Sequence, residues 1–226
     1  TIITGAATSS DTKYSGLNPA DVSVTNIDND TAGFTVNPTS GLQTTEAGGT
    51  ATFTVKLNSK PTANVTITLA SINPAEGTVN PTSLTFTSGN WNSLQTATIT
   101  GTDDDVDDDN VTYTITTGTA TSTDAKYNGL NPPDVSATNI DNDDAGVAVS
   151  PYEGLYTTEA GGTATFTMKL TSKPTANVSI TLVSLNTNEG VVSPSTVPFT
   201  PDNWNTNQTI TVTGMNDDVD DDNVAY

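Results

Sequence analysis

The sequence contains no cysteine, no histidine and no arginine, and its basic side chains are six lysines. Without cysteine there are no disulfides, no thiolate chemistry and no cysteine-based zinc site. Without histidine it lacks the commonest general base and the commonest transition-metal ligand. Six lysines against 26 acidic residues leave a formal charge of −20, so no basic patch exists for nucleic acid or anionic lipid. No apolar run approaches the roughly 20 residues that span a bilayer. Aromatic residues are few, and no 3.6-residue period persists over two turns. The sequence opens at Thr1 without a methionine or a signal peptide, which predicts a natural gene product that extends beyond these residues.

What remains is a repeat. Asp28 and Asp141, Glu46 and Glu159, and Trp91 and Trp204 are each separated by 113 residues, and 77 of 113 aligned positions are identical. Arrays of this kind are extended and quasi-one-dimensional. Within each period, apolar and Thr-rich positions alternate with a period of two. ATFTVKL (51–57) places Ala51, Phe53, Val55 and Leu57 on one face, and 65–69, 83–87, 96–100, 111–116 and 134–138 continue the pattern. Turn signals such as AGG (47–49), NSKPTAN (58–64) and SGN (88–90) separate them. About seven short strands per ~100 residues predict an all-β chain of tandem immunoglobulin-like β-sandwich repeats.

The joints are NIDND followed by TAG (26–33) and NIDND followed by DAG (139–146). They predict a complete sandwich over 31–143. Residues 1–30 are then the last strands of a preceding repeat, and 144–226 the first strands of a second one. Neither piece buries both faces of its strands alone. Completion by a neighbouring copy through strand complementation and continuation in a longer array both satisfy this pattern. Both imply copies joined head to tail.

Six aspartates occupy the seven positions 103–109. A like pair about 5 Å apart costs roughly 3 kcal/mol at an effective dielectric near 20. In a seven-stranded sandwich, the Glu46 turn, the Glu76 turn, the Asp run and the terminal Asp141, Asp143 and Asp144 share one end. Oxygen donors converging from four segments suit a hard cation. The number of carboxylates favours Ca²⁺, with two or more ions per repeat, over Mg²⁺. Asp11 and Asp124 fall in the opposite F–G loop, where they cap turns, and Trp91 and Trp204 pack at a sandwich end. Massed carboxylates without a cleft argue against an enzyme.

TEAGGTATFTVKL, EGTVNPTSLTF, the strand running into GTDDD and the terminal IDNDD together resemble the Calx-β module, across the whole 113-residue unit. The resemblance implies a calcium-binding sandwich of the kind found in large bacterial surface proteins. It implies metal ligation by Glu46, Glu76, Asp104, Asp105, Asp107, Asp109, Asp141, Asp143 and Asp144. For the second repeat the set is Glu159, Glu189, Asp217, Asp218, Asp220 and Asp222, completed by Asp28 and Asp30 of a neighbour. Glu76 where the family has Asp, an all-Asp E–F loop, and a longer F–G segment (117–133) are departures. The expected role is a structural subunit of a calcium-stabilised extracellular or cell-surface fibre or adhesin stalk. The alternative is a calcium-dependent adhesion module for a carbohydrate or protein ligand.

Overall fold

The structure, a computed structural model, describes residues 1–216, 219 and 222–226. Its regular elements are all β, as the alternation predicts. Strands β1 (Phe34–Asn37), β2 (Leu42–Thr45), β3 (Thr50–Leu57), β4 (Val65–Ser71) and β5 (Gly77–Asn80) are followed by β6 (Ser83–Phe86), β7 (Gln95–Gly101), β8 (Val111–Thr117), β9 (Thr121–Ser122) and β10 (Val135–Ile140). One sheet has the order β1–β3–β7–β5; the other runs β2–β10–β8–β4–β6, with β9 beside β4. The burial of β3 alternates as its sequence does, with Phe53, Val55 and Leu57 inside and the residues between them facing out. They join Ile67, Leu69, Phe86, Ile99, Tyr113, Ile115 and Val135 in one core. Trp91 packs on that core, and its carbonyl accepts the Leu57 N–H at 2.9 Å.

Residues 34–140 form ten strands rather than about seven: the six segments read from the alternation are β3, β4, β6, β7, β8 and β10, and the short strands β1, β2, β5 and β9 add to them. β1 and β2 are separated by Pro38, which has no N–H to give a ladder, and by Gly41, whose φ of +75° favours glycine. That break moves the chain between sheets. β1 pairs antiparallel with β3, whereas β2 pairs parallel with β10 in the opposite sheet.

Farther along lie β11 (Val147–Ser150), β12 (Thr163–Leu170), β13 (Val178–Thr181), β14 (Gly190–Ser193), β15 (Thr196–Phe199) and β16 (Gln208–Gly214). The sheet β11–β12–β16–β14 has the order of β1–β3–β7–β5, while the second sheet consists of β13 and β15. A smaller core gathers Met168, Leu170, Val197, Phe199 and Ile210, with Trp204 packed against it. Residues 1–30 contain one bridge, Ile2 with Val22, in the register that joins Ile115 to Val135. Among the described residues, no helix is long and apolar enough to cross a membrane.

Candidate metal centre

Four segments meet at one end of the first sandwich. β2 runs into the Glu46 turn, and the Glu46 N–H donates to the Ile140 carbonyl at 3.1 Å. β10 continues past Ile140 into Asp141 and Asp143. β7 and β8 are joined by the aspartate run, and the turn before β5 carries Glu76. The site therefore exists where β2 and β10 lie side by side. The ladder around it is held by Asn139, which is buried. Its Oδ1 accepts the Thr44 hydroxyl and its Nδ2 donates to the Thr102 carbonyl, both at 3.0 Å.

Carboxylate oxygens of Glu46, Asp141 and Asp143 lie within 4.8 Å of one another. Glu46 is 3 % exposed and Glu76 is 6 % exposed, although acidic side chains are almost never buried without a partner. Asp143 Oδ2 is the one buried side-chain polar atom without a hydrogen-bond partner among the described residues. Burial pushes the Glu46 carboxyl up to about 7, and the charges of Asp141 and Asp104 add to that effect. Burial raises Asp143, Glu76 and Asp108 as well, each reinforced by neighbouring carboxylates. Asp141 moves the other way, because it accepts the N–H groups of Asp143, Asp109 and Asp108. Glu46, Glu76, Asp104, Asp108, Asp141 and Asp143 thus form one electrostatically coupled group. A cluster of acids with a buried, unpartnered oxygen and no nitrogen or sulfur donor is the donor chemistry of a hard cation.

Asp108 was not among the residues singled out from the sequence. Its N–H donates to Asp141 Oδ2 at 3.1 Å, and its charge is the first to act on Glu76 after burial. Asp109 beside it has a φ of +63°, the left-handed region that non-glycine residues seldom adopt. That turn breaks the simple alternation of the run and directs the Asp108 and Asp109 N–H groups to Asp141.

The remaining predicted positions divide. Asp104 acts on Glu46, Glu76 and Asp108, and Asp105 acts on Asp143. Asp107 Oδ2 accepts the Ala145 N–H at 2.8 Å, across the joint to the following strands. The Asp144 carbonyl accepts the Thr171 hydroxyl, and the Asp105 carbonyl accepts the Lys173 N–H, both at 2.6 Å. Glu159, Glu189 and Asp222 line a single groove, while Asp217, Asp218 and Asp220 lie outside the described residues. Asp28 and Asp30 are exposed beside Lys60, Asp124 and Lys126. Asp124 accepts the Thr62 and Lys126 N–H groups, and Asp11 accepts that of Lys13, so both close turns. Tyr127 is buried, and its hydroxyl bonds Ser59, anchoring the F–G loop.

No protein-family model matches the chain, and no curated protein does. Among solved structures, the chain is similar to CBD12 of CALX1.2 at 13% identity, covering 84% of this chain and 76% of that one, with a TM-score of 0.38. It is similar to the apo form of the Calx CBD1 domain at 17% identity, over 49% and 96% of the two chains, TM-score 0.38. The periplasmic chaperone SfaE is similar at 11% identity, over 80% and 87%, TM-score 0.38.

Proposed function

We propose that the chain is a structural subunit of a calcium-stabilised extracellular fibre or stalk, built from copies of a 113-residue sandwich joined head to tail. The role is mechanical rather than catalytic. The observation that carries the reading is the group Glu46, Asp141 and Asp143, with converging carboxylates, a buried glutamate and an orphaned Asp143 oxygen. Ca²⁺ accepts six to eight oxygens in flexible geometry, and carboxylates can bridge two ions. Glu46, Asp141 and Asp143 would hold one ion, with Asp104, Asp108 and Glu76 about a second. A bound ion would cancel the mutual repulsion of these groups and brace the aspartate loop against the joint that Asp105 and Asp107 already touch.

Binding to the folded state alone adds RT ln(1 + [L]/Kd) to stability, about 2.7 kcal/mol at one hundred times Kd. Thermal unfolding in 1 mM CaCl₂ and in EDTA tests this directly. The transition should rise with calcium and return on chelation, and MgCl₂ should substitute poorly. A melting temperature indifferent to calcium defeats the proposal.

A further inference from the structure

The second group of strands carries a groove of about 1010 Å³. Leu155, Tyr156, Thr157 and Thr158 form one wall, and Val224, Ala225 and Tyr226 the other. In sequence these are the counterparts of Leu42–Thr45 in β2 and of Val111, Thr112 and Tyr113 in β8. Those strands flank β10 in the first sandwich. The walls are already set as they are there. Thr157 and Tyr226 hydroxyls are bonded, as those of Thr44 and Tyr113 are. Tyr226 covers Gly190 so closely that a Cβ would meet its ring, as Tyr113 covers Gly77. Among the described residues, nothing occupies the position that β10 fills between its two neighbours.

The matching piece is present elsewhere in the chain. Residues 1–30 are identical to 114–143 at 23 positions, and they hold the same local geometry. The Ile2–Val22 bridge repeats Ile115–Val135. The Ala7 N–H bond to Leu17 repeats that of Ala120 to Leu130. Ile115, Val135 and Ala137 are buried in the first core, whereas their counterparts Ile2, Val22 and Val24 are exposed by 60, 50 and 62 %. An apolar row in strand register, Ile2, Val22 and Val24, is therefore exposed, and a groove of complementary register lies between 155–158 and 224–226. Exposed unpaired strands of this kind add to an open sheet edge through main-chain hydrogen bonds.

We infer that residues 1–27 of a second copy of this chain fill the groove, with residues 22–27 taking the place of β10. The register follows from the first sandwich. Val24 lies opposite Leu155 on the parallel side and opposite Tyr226 on the antiparallel side. Asn26 lies opposite Thr157 and Val224, where its amide repeats the contacts of Asn139 with Thr44 and the Thr102 carbonyl. The inference rests on the reading of the chain as a repeating structural unit and names how one copy holds the next. It also delivers Asp28 and Asp30, the counterparts of Asp141 and Asp143, to Glu159.

The test uses the 226-residue chain and its lack of cysteine. Light scattering should give 23.3 kDa when dilute and at least a twofold higher mass as concentration rises. Val24→Asp alters an exposed residue, so the variant should fold normally and remain at 23.3 kDa. Thr112 and Thr138 hydroxyls face each other at 3.0 Å, and Thr25 and Ala225 are their counterparts. A mixture of Thr25→Cys and Ala225→Cys chains should therefore form a reducible heterodimer, and Thr25→Cys mixed with Glu153→Cys should not. Wild-type chain that stays monomeric at every concentration overturns the inference, as does assembly unaffected by Val24→Asp. Assembly without the Thr25–Ala225 crosslink overturns the register. Calorimetric titration of the Val24→Asp monomer with CaCl₂ reads the metal centre separately. Calcium uptake without wild-type assembly refutes the docking alone, and assembly without calcium uptake refutes the metal reading alone.

Discussion

Glu46 and Glu159 occupy identical TTEAGG segments 113 residues apart, yet Glu46 is buried and Glu159 is exposed. The local sequence is the same, so the difference comes from what lies beside it. Glu46 donates its N–H to Ile140 of β10, and its carboxylate accepts the Asn142 N–H at 3.2 Å. At Glu159 no described strand takes that place. The same contrast runs through the cores: Phe53, Val65 and Ile67 are fully buried in the first, whereas their counterparts Phe166, Val178 and Ile180 are only partly buried in the second. Burial of the acid, and the pKa shift that follows from it, are properties of the completed sheet rather than of the turn that carries the residue.

The strongest way to break the comparison is to charge the strand that makes it. Val135→Asp places a carboxylate at a fully buried position and should cost about 4 kcal/mol or more, enough to prevent folding of the first sandwich. Val22→Asp, its counterpart in the exposed segment, should change the urea midpoint of dilute monomer very little. Equal losses would mean that the two segments are in the same environment.

A second contrast is in pH. A carboxyl raised by folding from 4.5 to about 7 holds its proton more tightly in the folded state. Metal-free stability from this group is therefore full below about pH 4.5 and declines as pH rises to 7, by at most about 3 kcal/mol. Glu46→Gln should flatten that slope in EDTA and weaken calcium binding at least tenfold. Urea titrations at pH 5 and pH 7.5, with and without calcium, read both effects. A slope unchanged by Glu46→Gln would place the titration elsewhere.

The smallest effect belongs to the joint. Asp107→Asn weakens a charge-assisted bond to the Ala145 N–H and should cost about 0.5–1 kcal/mol. Its clearer signature is loosened orientation between the two strand groups, measurable as a broader distance distribution in small-angle scattering. An identical distribution would mean that Asp105 and Asp144 suffice to hold the joint.

Much of this was legible in the sequence. The period-two pattern of 51–57 gives β3 and its inward face, and the TEAGG and IDNDD segments give Glu46, Asp141 and Asp143 before any contact is known. The division of β1 from β2 was less visible, because nothing in the apolar pattern distinguishes a change of sheet at Pro38 and Gly41 from an ordinary turn. The aspartate run was least legible. Its composition says that oxygen ligands are abundant, but which of them turn inward depends on Asp109 adopting a positive φ. Asp107 and Asp108 are neighbours in sequence, yet one reaches the following joint and the other the Asp141 carboxylate of the acidic cluster.

The parallel pairing of β2 with β10 has a consequence for load. β2 lies near the entry of the first sandwich and β10 leads out of it to the next joint, so tension along the chain pulls the two strands past one another. Their ladder, Leu42–Thr45 against Ala137–Ile140, is then strained in shear. Its bonds must yield together instead of peeling one at a time. The acidic end closes over that same strand pair, so the element that gathers the carboxylates is also one that a stretched chain must shear before its inner strands bear load.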